Sequence, residues 1–274
     1  MFLEILRERS ERLGKGSTLA RCLLGFTRRV SLGVSPALYR MSCVQQFYRT
    51  CQSYGPVVYE GLENIPLDRP CLFVMKHRGF SDITMHGMGY ALATSGSVDD
   101  LVFPDCWSSK TEIVERVKDA RLCRFVMKED LLSLPIGLHL VLNGGIPVPQ
   151  DLETKAKNTP GFDPKAPKVL EQQKKMSGWF NFKDSFREIT NTLKGGDAVM
   201  IYGEATRVSG EKMGHLSERM IQRLAKSNQA ALIPVGSEIK DGEIFVRYGQ
   251  DTEMDELRES IARLSGIPLE NFLP

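Results

Sequence analysis

The chain has only six cysteines in 274 residues (Cys22, Cys43, Cys51, Cys71, Cys106 and Cys123), none in a Cys-x-x-Cys pair. A chain of this length buries enough surface to fold without disulfide or metal staples, so these thiols read as reduced and mostly buried. No metal-ligand spacing is present, and no metal is expected. The nucleophile elbow Gly-x-Ser-x-Gly is absent, which argues against an α/β-hydrolase. Gly14-Lys15-Gly16-Ser17-Thr18 lacks the leading glycine of a phosphate loop. A secretory signal is missing too: the apolar run 1–6 is broken by Glu4 and followed by Arg7, Glu8 and Arg9. A cytoplasmic location is the default expectation. Residues 131–150 carry no Asp, Glu, Lys or Arg, but Asn143-Gly144-Gly145 divides them. As a helix, 131–142 would reach ~18 Å against a ~30 Å hydrocarbon core. A short buried helix followed by a strand is expected there, with no spanning segment.

Apolar residues make up 42% of the chain and charged residues 26%, the balance of a soluble globular protein. The formal charge of +2 conceals an uneven distribution. Residues 1–50 hold nine Lys/Arg against three Asp/Glu, a formal +6, which leaves −4 for the remainder. Leu19, Cys22, Leu23, Phe26 and Val30 follow helical spacing, and Arg21 and Arg28 fall on the opposite face. Two readings stand: an amphipathic helix on an anionic membrane, or a surface helix packed on the core with its bases in water. Aromatic interleaving and nucleic-acid motifs are absent, so no nucleic acid is expected as partner.

After Gly55-Pro56 the pattern becomes an alternation. Strands are expected at 57–60, 71–75, 101–104, 122–127, 145–148, 197–202, 231–237 and 243–248. Helices are expected at 82–94, 109–118, 130–142, 182–194, 215–227 and 253–264. Such alternation predicts an α/β fold, a mostly parallel central sheet flanked by helices. The expected organisation is a basic helical lead-in over 1–54 and a single α/β domain over 55–274. Residues 151–181, with Pro160, Pro164 and Pro167, read as an inserted loop.

The chemistry concentrates where strands end. The run 71–75 leads into Lys76-His77, and Ser81-Asp82 opens a helix. Open α/β sheets place ligands at the carboxyl ends of their strands. The spacing His77-x-x-x-x-Asp82 lets the chain turn once and return a carboxylate to the imidazole. The Asp then fixes one ring nitrogen, and the other can take a proton from a hydroxyl. Downstream come Gly144-Gly145, then the strand 198–201 running into Tyr202-Gly203-Glu204-Ala205-Thr206-Arg207, then Ile233-Pro234-Val235. An acid, a hydroxyl and a guanidinium at a second strand end suit an anion site. Of the other histidines, His86 reads as a core or supporting residue, His139 as buried and His215 as surface.

These segments resemble, in order, the four blocks of the glycerolphosphate/lysophospholipid acyltransferase family. The family's Asn-His-x4-Asp reads Lys76-His77-Arg78-Gly79-Phe80-Ser81-Asp82 here. Its Gly-Gly-Ile-Phe-Ile-Asp-Arg reads 144–150, and its Phe-Pro-Glu-Gly-Thr-Arg reads 202–207. Its Val-Pro-Val reads 233–235. The resemblance spans roughly 55–250. It departs at Lys76 for Asn, Gln150 for Arg, Gly203 for Pro and Ala205 for Gly. The resemblance implies acyl transfer from an acyl-CoA or acyl-carrier-protein thioester to a glycerol-type hydroxyl of a lysophospholipid or glycerol phosphate. It implies His77 as base, Asp82 as its orienting partner, and Glu204 and Arg207 as acceptor-binding residues; Thr206, Arg78 and Gly145 are further candidate substrate-binding residues. It implies no cofactor beyond the acyl thioester, and a peripheral place on the cytoplasmic membrane face. With Gln150 in block two, Arg78, Lys110, Lys128 and Lys174-Lys175 are alternative sources of positive charge. Two other readings share the fold: a non-catalytic acyl- or lipid-binding protein, and a thioesterase-like hydrolase.

Overall fold

A computed structural model describes residues 36–77, 81–96, 110–128, 140, 144–171, 182–204 and 211–273. The lead-in helix expected around 19–30, the strand at 101–104 and nearly all of the helix at 130–142 lie outside the described residues. The elements in chain order begin with α1 (Pro36–Tyr54), β1 (Val57–Glu60), β2 (Cys71–Met75), α2 (Ser81–Thr94) and α3 (Lys110–Arg116). They continue with β3 (Cys123–Lys128), β4 (Gly145–Val148), α4 (Leu152–Asn158), α5 (Phe182–Lys194) and β5 (Ala198–Tyr202). Last come α6 (Glu218–Asn228), β6 (Ala231–Lys240), β7 (Glu243–Tyr248) and α7 (Leu257–Leu264).

The strands form one seven-stranded sheet in the order β1-β7-β6-β2-β5-β3-β4. Every neighbouring pair is parallel except β6–β7. A central parallel strand is covered on both faces and so reads as a continuous apolar run. β2, Cys-Leu-Phe-Val-Met, is buried along its whole length. Its side chains alternate between two cores. Phe73 and Met75 join Phe125, Met127, Met200 and Ile233 beneath Val44 and Phe47 of α1 and Met85 and Met88 of α2. Leu72 and Val74 join Val199 and Ile201 beneath Ile189 of α5, Ile221 of α6 and Leu257 of α7. The result is three layers, with helices on both faces.

Two prolines lie in strands where the missing N–H is tolerated. Pro147 is on the edge strand β4. Pro234 comes one residue before the β6–β7 ladder begins at Val235.

Within 151–181 the described residues, 151–171, depart from a plain loop. Asp151 caps α4 by accepting the Thr154 amide, and residues 167–171 are helical as well. α4 has no apolar stripe to announce it, because the residues it buries are the polar Thr154 and Asn158.

Candidate active site

Two adjacent strand ends meet at the carboxyl edge of the sheet. β2 and β5 run parallel with Met75 opposite Tyr202. The Gly203 amide donates to the Met75 carbonyl at 3.2 Å, so the ladder continues one step past both strands. Lys76-His77 and Gly203-Glu204 therefore leave the sheet side by side.

α2 starts close beyond His77 and carries Asp82 in its first turn. A carboxylate there is favoured by the helix dipole. His77 Nδ1 lies 3.6 Å from Asp82 Oδ2, with the side chains 18% and 4% exposed. The buried carboxylate addresses the inner ring nitrogen while the imidazole remains reachable from outside. The Tyr202 ring lies 4.1 Å from the imidazole, centroid to centroid, tilted by 39°. The histidine is thus bounded by one residue from each of two neighbouring elements.

Glu204 is expected from the resemblance to bind substrate. It is fully buried. Its carboxylate lies 3.4 Å from the Lys76 ammonium, and its Oε1 accepts the Gly214 amide at 2.6 Å. Burial pushes the Glu204 carboxyl above its ordinary range, a rise opposed by the Lys76 charge, the Gly214 amide and the neighbouring His77. Asn158 of α4 supports the same stretch. Its amide donates to the Glu204 carbonyl at 2.9 Å and to the His215 carbonyl at 2.8 Å. Its own oxygen accepts the His215 amide at 2.6 Å. Lys76 and Asn158 are the site residues that sequence reasoning missed. Lys76 registered only as a departure from a block, and Asn158 lay within an expected loop.

Gly145 begins the edge strand β4, separated from β2 by β5 and β3. A Cβ at this position would come 2.5 Å from Met127 Sδ and 2.8 Å from the Leu140 carbonyl oxygen. The geometry gives Gly145 a packing role and does not bring it to the His77–Asp82 pair. Gln150 accepts a hydrogen bond from Lys155 at 3.2 Å. Arg78, Thr206 and Arg207 lie outside the described residues, as do Lys174 and Lys175. Among the described residues no group of His, Cys, Asp and Glu could hold a metal ion.

No family model matches the chain, and no curated protein matches it. Three chains of solved structures are similar, among them one that is covered nearly throughout. It is the crystal structure of PlsC, the 1-acyl-sn-glycerophosphate (LPA) acyltransferase from Thermotoga maritima. The TM-score is 0.46 at 15% identity, covering 90% of this chain and 92% of that one. At that score and identity the likeness assigns this chain no reaction and no substrate.

Proposed function

We propose that the chain is an O-acyltransferase that moves a fatty acyl group from an acyl-CoA or acyl-carrier-protein thioester to a glycerol-type hydroxyl. The acceptor is a lysophospholipid or glycerol phosphate, and the protein works peripherally on the cytoplasmic face of a membrane. The observation that carries this reading is the His77–Asp82 pair, 3.6 Å apart at the carboxyl edge of the sheet, with the imidazole open and the carboxylate buried. Acceptor binding would tighten that contact, as apo geometry at catalytic pairs is often loose.

In this reading Asp82 holds Nδ1 and stabilises the imidazolium. Nε2 takes the acceptor's proton as its oxygen bonds to the thioester carbonyl carbon. The carbonyl becomes a tetrahedral oxyanion, which needs aimed donors; backbone amides around Arg78-Gly79 fill that role in this proposal. The intermediate collapses, the C–S bond breaks, and the thiolate recovers the proton from the imidazolium. Thr206, Arg207 and Arg78 hold the acceptor's anionic group.

The test is thioester consumption by the purified protein across phosphate-bearing and phosphate-free acceptors, with products weighed by mass spectrometry. Acyl transfer is expected, together with a fall of at least about a hundredfold in His77→Ala, the order that a general base contributes. Full activity in that variant would sink the mechanism. Thiol release that ignores the acceptor would instead indicate hydrolysis. Lipid binding without turnover would indicate a non-catalytic protein.

A further inference from the structure

Lys76 and Glu204 form a charged pair with almost no contact with water. Their side chains are 2% and 0% exposed. Removing two charges from water costs more than most such pairs recover, and apolar replacements of similar volume are often no worse for stability. A pair in such a place points to a role that apolar packing would not perform. Its partners suggest one. Lys76 Nζ reaches Glu204 Oε1 at 3.4 Å and Oε2 at 3.5 Å, and also donates to the Lys212 carbonyl. Glu204 accepts the Gly214 amide. The segment around 213 is pinned from behind. Arg258 donates to the carbonyls of Gly214, Met213 and Leu273 at 2.8, 3.0 and 2.8 Å. Met213 also exchanges backbone hydrogen bonds with Asn271 and Leu273 near the carboxyl terminus. Lys76 is the residue immediately before His77, so whatever fixes Lys76 fixes the backbone from which the imidazole projects. It is also the position at which block one departs from Asn-His-x4-Asp.

We infer that Lys76 is a positioning residue for His77, tying the exit of β2 to Glu204 and to the 212–214 segment. The imidazole is thereby held against Asp82 and Tyr202. The inference deepens the acyltransferase reading and rests on it for its kinetic consequence, but its structural consequence is separate. Asp82 Oδ2 faces Nδ1 at 3.6 Å, so the neutral ring of the intact protein is expected to carry its proton on Nδ1. Without Lys76 the strand exit loses its tether, and the ring populates the Nε2–H form as well.

The experiment compares the full-length protein with Lys76→Met and with the double variant Lys76→Met/Glu204→Gln. The double variant removes both charges and keeps an acceptor for the Gly214 amide. It is expected to fold even where the single variant, with its stranded carboxylate, does not. Circular dichroism establishes folding, and long-range 15N–1H correlation of the His77 ring reads the tautomer. The folded variants are expected to lose the Nδ1–H preference. Their kcat should fall by on the order of tenfold to a hundredfold, the loss that follows a misplaced reacting group. KM should stay within about twofold, because ground-state binding is not what is removed. A folded double variant with the original ring signature overturns the inference. So does a rise in KM at unchanged kcat, which would make the pair an acceptor-binding element. If the unmodified protein transfers no acyl group at all, the acyltransferase reading fails, and the ring signature still decides the role of Lys76.

Discussion

His86 lies on α2 one turn beyond Asp82 and is fully buried. Phe73 meets its ring edge-on at 4.5 Å, Tyr248 lies 5.2 Å away, and neither ring nitrogen has a hydrogen-bond partner among the described residues. Burial pushes the imidazole down from 6.5 to about 3. The folded state therefore resists a proton that the unfolded chain accepts. The stability that His86 supplies is complete above about pH 6.5 and is lost as pH falls toward 3, by roughly 4–5 kcal/mol in all. Glu204 and Asp197, both raised by burial, act in the opposite sense, but equally in any His86 variant. Urea unfolding of the wild type and His86→Leu between pH 7 and 3.5 should show the variant losing several kcal/mol less. Parallel curves would refute this account. His86 was legible as a core residue, and so was the His77–Asp82 pairing, because one strand exit and the first turn of the next helix set its geometry. The Lys76–Glu204 pair was not. Its members are 128 positions apart, and only the register of β2 on β5 brings them together.

The same division holds among the elements. The strands 57–60, 71–75, 145–148 and 243–248 have the bounds that the sequence suggests, since apolar runs flanked by turn residues mark them locally. β6 runs three residues beyond the expected 237, through Lys240. Its extension is the antiparallel hairpin with β7, turning at Asp241-Gly242, both with positive φ. That Asp-Gly was the available signal, the preferred pair for a two-residue hairpin turn. α4 had no such signal, because polar contacts to distant backbone hold it. The docking of α7 on β6 depends on a glycine. A Cβ at Gly236 would come 2.2 Å from the Leu264 carbonyl carbon and 2.4 Å from its oxygen. Backbone cannot rotate aside, so Gly236→Ala should cost at least about 1–3 kcal/mol. Gly87, on α2, has nothing among the described residues within 4 Å of the equivalent position. Gly87→Ala should stabilise by roughly 0.4–1 kcal/mol through reduced freedom of the unfolded chain. Thermal unfolding of the two variants should give shifts of opposite sign. A stabilising shift for Gly236→Ala would mean that α7 does not dock through Gly236 as described, and a destabilising one for Gly87→Ala would mean that a methyl group finds no room at that position.

At the scale of the whole molecule the uneven charge remains the feature that the fold absorbs least. No helix among the described residues is long and apolar enough to cross a membrane. The described part of the basic head is already committed to the fold. Val44 and Phe47 of α1 are in the core, α1 packs on α2, and Arg40 donates to the Ala120 carbonyl. α1 is therefore not the piece to remove when testing for membrane contact. Residues 1–35 are, and their deletion takes away seven bases and three acids, a formal +4. If the head holds the protein on an anionic bilayer, the attraction is electrostatic and screened. The screening length falls from ~10 Å at 0.1 M salt to ~3 Å at 1 M. The full chain should co-sediment with vesicles containing an anionic phospholipid at low salt, release as salt rises, and ignore vesicles of zwitterionic lipid alone. The chain lacking 1–35 should stay in the supernatant while its far-ultraviolet dichroism still reports an α/β fold. Equal sedimentation of the two chains would place the membrane contact on residues 36–274. Salt-independent binding would make the contact apolar, and the uneven charge would then need another explanation.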